Sequence, residues 1–275
     1  MIDLHSHSTA SDGSLSPTEL VALAKERGLK ALALTDHDSV AGLAEAEEAA
    51  SRVELTFIRG VEIEISFEPG EFHLLGLRLG EVEDELAEAL ERLARARELR
   101  NARILGRIND AGTDASMEEL RSLAGPGAIG RPHIASLMVA KRLVRSRQEA
   151  FDRFIGKGRP YYEPKECLDL GEALRLVKDT GGLAIAAHPL SLFVSWGRLT
   201  SIMGEWKELG IDGIEAYHPT AKISQCRRLE KMGRELGFRI TAGSDFHGAI
   251  RPERKLGKTS GGIEIGDEYL AEIGL

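Results

Sequence analysis

The chain is poor in three things that would otherwise set its chemistry. It holds 2 cysteines, Cys167 and Cys226, with no CxxC spacing, which excludes a disulfide framework and a zinc–thiolate centre. Aromatic residues make up 5% of 275, and no cluster of Phe, Tyr and Trp offers the stacking platform that long single strands of nucleic acid need. No apolar run approaches the roughly 18 to 20 residues of a membrane helix. The opening Met1-Ile2-Asp3-Leu4-His5 has neither the basic residues nor the apolar stretch of a secretory leader. The sequence therefore reads as cytoplasmic, and any metal must be held by ligands other than thiolate.

What remains is the composition of a globular protein. At 42% hydrophobic and 29% charged it excludes a disordered tail or a collagen-like fibre. The length fits one large domain, or one domain carrying an insertion. Strand and helix patterns alternate at first: a strand at Ile2–His5, a helix at Pro17–Arg27 and a strand at Ala31–Thr35. An Ala- and Glu-rich helix follows, then extended segments at Phe57–Ile65 and Phe72–Leu77. Ser16 is placed to cap the first helix, with Pro17 at its first position and Glu19 completing a capping box.

After Gly80 the strand signal disappears. Glu81–Asn109 is one long helical pattern, with shorter ones at Ser116–Leu123, Pro132–Arg142 and Gln148–Ile155. From Gly171 the alternation resumes, with strands at Leu183–Ala187, Gly213–Tyr217 and Arg239–Ala242 and helices between them. This predicts a β/α barrel or layered β/α domain, residues 1–79 and 166–275, split by an all-helical insertion at 80–165. Residues 92–160 carry 15 Lys and Arg against 7 Asp and Glu, a balance of +8, leaving −16 on the rest of a chain whose net charge is −8. The bland account is a solvated helix face; the sharper one is a basic lid over an anion-binding cavity.

Most of the eight histidines, at positions 5, 7, 37, 73, 133, 188, 218 and 247, fall just after a predicted strand. His5 and His7 are two apart, so in an extended chain they point the same way and can close on one ion. His37, His188 and the pair Asp245 and His247 each follow an apolar run. Singly these are weak signals, but in parallel β/α folds the strand ends converge on one rim. Asp12, Glu62 and Asp245 occupy matching contexts, and Glu62, two before Glu64, suits a bridging carboxylate.

Read together, Asp3-Leu4-His5-Ser6-His7-Ser8, Ser11-Asp12-Gly13, Thr35-Asp36-His37-Asp38, Gly60-Val61-Glu62-Ile63, His73-Leu74-Leu75-Gly76, Ala187-His188-Pro189 and Gly243-Ser244-Asp245-Phe246-His247 resemble the PHP phosphoesterases, named for polymerase and histidinol phosphatase. The motifs stand in family order from residue 3 to 247. The resemblance implies a distorted (β/α)7 barrel of the α/β class with a trinuclear metal site at its mouth. It implies one ion on His5, His7, Glu62 and Asp245, a second on Glu62, His73 and His188, and a third on Asp12, His37 and His247. Asp12 stands where many members have a histidine. An acidic ligand there favours Mn2+ or Fe2+ somewhat over Zn2+.

Within the family the chain is most similar to the branch with a helical domain after the HLLG motif. Members of that branch hydrolyse nucleoside 3′,5′-bisphosphates, AMP-like nucleotides or short RNA from its 5′ end. Arg131-Pro132-His133-Ile134-Ala135 and Gly156-Lys157-Gly158-Arg159-Pro160-Tyr161 are the shared insertion features. Thr220, Ala221 and Lys222 depart from the Ser-His-Ser-like turn usual after Glu215-Ala216-Tyr217-His218-Pro219.

The implied activity is phosphate release from a small phosphorylated substrate, a nucleotide or short RNA, with two or three divalent ions activating hydroxide for in-line attack. Arg131 and His133 are candidates for a substrate phosphate, because a guanidinium can bind two of its oxygens at once. Lys157 and Arg159 lie in a glycine-bearing turn able to close over a mouth, and His218 is a candidate for substrate or for orienting a ligand. Three alternatives stay open: another small-molecule phosphatase such as a histidinol phosphatase, a metal-dependent amidohydrolase, and a scaffold that has lost catalysis.

Overall fold

A computed structural model describes residues 1–82, 84–124 and 129–275. The elements run β1 (Ile2–Asp3), α1 (Pro17–Glu26), β2 (Ala31–Leu34), α2 (Leu43–Arg52), β3 (Thr56–Ile65), β4 (Phe72–Leu77), α3 (Asp84–Asp110), α4 (Met117–Ala124), α5 (Arg131–Ala140) and α6 (Arg147–Ala150). After a π-helical turn at Phe151–Ile155 come α7 (Leu170–Asp179), β5 (Leu183–Ala187), α8 (Trp196–Leu209), β6 (Gly213–Tyr217), α9 (Ile223–Glu235), β7 (Arg239–Ala242) and α10 (Glu268–Glu272). Boundaries fall within a few residues of those expected. The long helix begins at Asp84 rather than Glu81, and Glu83 lies outside the described residues. The α1 cap forms as expected: Ser16 Oγ accepts from Glu19 N at 3.2 Å, and Glu19 Oε2 accepts from Ser16 N at 2.8 Å.

By contacts the chain separates into two compact units, Met1–Leu90 with Cys167–Leu275, and Glu91–Glu166. The first is a distorted (β/α)7 barrel. Its seven strands lie in sequence order, parallel except where β4 runs antiparallel to both β3 and β5. Past the ends of β1 and β7, Ser6 bridges Phe246 in parallel, and His7 N donates to Phe246 O at 2.9 Å, which nearly closes the ring.

The barrel interior is filled by Ile2, Leu4, Ala31, Ala33, Ile58, Leu75, Leu77, Ile185 and Ala242, all at most 2% exposed, so it is a packed core and not a channel. A second apolar cluster joins Leu20, Val21 and Ala24 of α1 and Ala46 and Ala50 of α2 to Leu32 and Leu34 of β2. The helical unit has its own core, built from Ile104 and Ile108 of α3, Leu120 of α4, Ile134 and Met138 of α5, and Ile155. Among the described residues, no helix is long and apolar enough to cross a membrane.

Candidate metal centre

Strand alternation does the first positioning. Ser6 turns outward, donating its hydroxyl to Ala33 O at 2.6 Å, which leaves His5 and His7 on the other side of the chain. Two buried carboxylates then pin the loops. Asp3 accepts backbone N–H bonds from His5 at 3.2 Å, Ser244 at 3.0 Å and Gly257 at 2.7 Å, tying the end of β1 to the end of β7. Burial still pushes its carboxyl up to about 6. Asp36 accepts from Ser8 N at 2.8 Å, Ser8 Oγ at 2.7 Å and Ser11 Oγ, fixing the loop that carries Asp12. Backbone geometry is spent here too. Asp38, His188 and Asp245 have φ of 47°, 27° and 49°, a region costly for residues with a Cβ, which is the kind of strain that clusters at functional sites.

His73 stands at the start of its strand, not past the end. Because β4 is reversed, its first residues pair with Glu64 of β3 and Ala187 of β5, and His73 reaches the same rim as the other ligand candidates.

Glu62 sits at the centre, fully buried. Its Oε2 lies 3.2 Å from His5 Nε2, 3.3 Å from His7 Nε2 and 3.1 Å from His37 Nδ1, and its Oε1 lies 2.8 Å from His73 Nδ1 and 3.0 Å from His188 Nε2. Asp245 Oδ1 is 3.1 Å from His7 Nε2 and 3.3 Å from His247 Nδ1, while Asp12 Oδ1 is 3.2 Å from His247 Nε2.

Three groups of donor atoms each lie within 4.8 Å of one another: His5, His7, Glu62 and Asp245; His7, Asp12, His37 and His247; and His37, Glu62 and His73. The groups overlap. His7 enters two of them, yet a neutral imidazole has one lone pair, so it can serve only one ion at a time. His188 reaches Glu62 but lies outside the third group, which His37 joins instead.

These contacts are not a self-contained hydrogen-bond network. His7 Nδ1, Glu62 Oε2, Asp245 Oδ1 and His247 Nε2 are buried and find no hydrogen-bond partner among the described residues, despite their close neighbours. Each buried orphan costs about 1–3 kcal/mol. Tautomers assigned from the outer partners explain why. His5 Nδ1–H donates to Glu215 Oε1 at 3.0 Å, so a neutral His5 turns its Nε2 lone pair inward. His188 Nδ1–H to Ser191 Oγ at 2.9 Å does the same, leaving a lone pair 3.0 Å from Glu62 Oε1. Lone pairs facing a carboxylate are satisfied by a cation between them, so the donor set fits divalent ions.

Without a cation, protons take the inward positions. Burial opposes ionisation of Glu62 and Asp245, but His37, His5 and His73 around Glu62, and His5, His218 and His7 around Asp245, outweigh it and hold both carboxyls well below their ordinary range. Burial likewise opposes charge on His7, yet Asp245 and Glu62 raise it to about 10. His5 is raised by Glu62, Glu215 and Asp245 against the same opposition. His37 goes the other way, pushed down to about 3 mainly by burial. Protons on imidazoles thus balance the carboxylates, and divalent cations would take their place.

Several positioning residues escaped the sequence reading. Glu215 holds His5 Nδ1 and also accepts the His188 backbone N–H at 3.0 Å. Arg254, buried, bonds both the carbonyl and Oδ2 of Asp245. His218, already a candidate from the sequence, has its Nε2 3.1 Å from that same Oδ2, while Thr220 Oγ1 donates to its Nδ1 at 2.7 Å. Thr220, one of the residues breaking the family pattern, thereby fixes the ring that steadies Asp245. Gly243 is required where it stands, because a Cβ there would come within 2.3 Å of His5 Cβ and 2.5 Å of Glu215 Oε1. The signal available beforehand was Glu215 itself, an acid at an inward position of a buried strand.

The insertion residues have local partners within the helical unit. Arg131 starts α5 with its guanidinium 5.4 Å from the Tyr162 ring centroid, and His133 Nδ1 accepts the Gly130 N–H at 3.0 Å. Arg159 is exposed and, like Lys157, belongs to the turn after Ile155.

A mixed-strand barrel with a rim of imidazoles and carboxylates defines a class, the metal-dependent barrel hydrolases. Comparison with known proteins narrows it. The PHP domain model matches residues 3–156. The chain is 35% identical over 245 residues to a 5′-3′ exoribonuclease of Haemophilus influenzae, covering 89% of each chain. It is 32% identical over 260 residues to a 3′,5′-nucleoside bisphosphate phosphatase of Chromobacterium violaceum, covering 94% of this chain and 91% of that one. A protein of Bifidobacterium adolescentis assigned as a metal-dependent phosphoesterase superposes with a TM-score of 0.80 at 28% identity, over 99% of this chain and 94% of its own. The chain belongs to the PHP family and is a phosphoric ester hydrolase.

Proposed function

We propose that the protein releases phosphate from a small nucleotide, either a nucleoside 3′,5′-bisphosphate or an AMP-like monophosphate, and that it can take the 5′ end of short RNA. The observation that carries the reading is a cavity of about 450 Å³ opening on the cluster, lined by His37, His73, His188 and Asp245 on one hand and by Phe193, Arg251 and Arg254 on the other. That volume suits a mononucleotide and not a folded polymer. The names carried by the Chromobacterium and Haemophilus relatives support the nucleoside 3′,5′-bisphosphate and the RNA 5′ end respectively.

In this reading His5, His7, Asp12, His37, Glu62, His73, His188, Asp245 and His247 hold two or three divalent ions, with Mn2+ favoured by the oxygen-rich set and Zn2+ or Fe2+ as alternatives. Bound there, the ions supply positive charge to the phosphoryl oxygens and an activated water. The chain's own part is positioning. Glu215 and Ser191 keep the lone pairs of His5 and His188 turned inward, while His218 and Arg254 hold Asp245 so that Oδ1 faces the cluster. His218 is therefore a positioning residue and not the acid for the leaving group. Arg131, His133, Lys157 and Arg159 of the basic helical unit are the candidates for further phosphates of short RNA.

The test is a parallel assay of 3′,5′-bisphosphoadenosine, AMP, 5′-phosphorylated dinucleotides and histidinol phosphate with added manganese. The reading expects kcat/KM for a nucleotide at least about tenfold above histidinol phosphate, the size of one charge-assisted contact. Equal or better turnover of histidinol phosphate overturns it.

A further inference from the structure

We propose that Arg251, with Arg254 and Gln225, forms a subsite for a second anionic group of the substrate, a phosphate other than the one being cleaved. The proposal rests on the phosphatase reading above and adds to it the part of the chain that reads charge beyond the metal cluster.

All three side chains line the cavity that holds the cluster, and all three bring donors without a use. Arg251 is half-buried, and among the described residues its guanidinium meets no carboxylate and makes no hydrogen bond. Arg254 is 7% exposed; its Nη1 is occupied by Asp245, but its Nε is buried without a partner. Gln225 uses only its oxygen, accepting the Lys222 N–H at 2.9 Å, so its amide nitrogen is left over. Such a wall of donors without acceptors recognises an acceptor-only group, and the forked guanidinium suits the oxygens of a phosphate. Glu71, a carboxylate on the lining outside the cluster, acts instead on His73, whose proton affinity it helps to raise.

The loop bearing the arginines is fixed before any ligand arrives. Ser14 N donates to His247 O at 3.1 Å, Ser14 Oγ accepts from Ala249 N at 2.8 Å, and Arg254 N donates to Arg251 O at 3.0 Å. Arg251 stands only four residues beyond His247, so the segment that supplies a cluster imidazole also supplies the cation. A preorganised cation on the wall of the same cavity costs little ordering when the substrate binds.

The experiment is titration calorimetry of butane-1,4-diol bisphosphate and of butyl phosphate with the protein as isolated and with Arg251→Ala, Arg251→Gln and Arg251→Lys. These ligands carry no base or sugar, so they report the second charge alone. The wild type is expected to bind the bisphosphate about 10- to 100-fold more tightly than the monophosphate, the worth of one charge-assisted contact. Arg251→Ala and Arg251→Gln should shrink that ratio to about threefold or less, with Arg251→Lys between, because it keeps the charge and loses the fork. A ratio that survives in Arg251→Ala or Arg251→Gln overturns the proposal, as does a wild-type ratio near one. A purely structural role would weaken both ligands together and leave the ratio intact, and that also counts against it. Turnover of 3′,5′-bisphosphoadenosine separates the two readings: no turnover with a collapsing ratio removes the nucleotide and keeps the subsite, and turnover with an unmoved ratio does the reverse.

Discussion

In the helical unit Glu163 takes ion pairs from Arg103 and Arg107, Glu119 from Lys141, and Glu149 from Arg153. At the barrel rim Glu62 stands among five imidazoles and keeps Oε2 unbonded. The helical pairs each have at least one well-exposed partner and answer to each other, which is why they contribute little individually. The rim is buried, and its charges answer to something the chain does not supply. The contrast separates a basic surface, which composition alone can produce, from a built site, which needs seven strand ends and two pinned loops.

The largest effect should come from the centre of the rim. Glu62→Gln removes the charge facing five imidazoles, and we expect kcat/KM to fall on the order of 10³-fold with a parallel loss of bound metal. Retention of both would break the contrast. Next, Glu215→Gln leaves the ligand atoms in place but loosens the tautomer of His5, so metal affinity should fall about 10- to 100-fold by competition with a chelator. A change under threefold would make Glu215 a packing residue only.

Gly243→Ala tests the same neighbourhood by sterics. The added methyl meets His5 Cβ and Glu215, and overpacking of about 1–3 kcal/mol should lower the melting temperature by several degrees. An unchanged melting temperature would show that the rim yields easily. The smallest effect belongs to the other unit. Arg131→Ala loses its stacking over Tyr162, worth about 0.5–1 kcal/mol of stability, and should raise KM for a 5′-phosphorylated oligonucleotide only a few-fold. An effect on turnover as large as that of Glu62→Gln would place the chemistry in both units.

The gathering of histidines at one rim was legible because strand alternation and chain order are local facts: His5 and His7 differ by two, and His37, His188 and His247 each follow a buried run. The reversal of β4 was not legible. Phe72–Leu77 is buried throughout and, apart from His73, apolar, and such a strand reads the same in either direction, so only its pairing with β3 and β5 explains how His73 arrives from the strand's start. Glu215 and Arg254 were hidden for a related reason. Their roles lie in contacts 210 and 9 residues away in sequence, and no spacing rule connects His5 to Glu215. Thr220 looked like a broken motif because the sequence shows the missing residues and not the hydrogen bond that Thr220 makes to His218.

The account stands on cations at the rim, and elemental analysis of protein purified without chelator measures them directly. Two or three divalent ions per chain, falling below one in Glu62→Gln, is the result it predicts. Fewer than two per chain, with none regained on adding manganese, would contradict it.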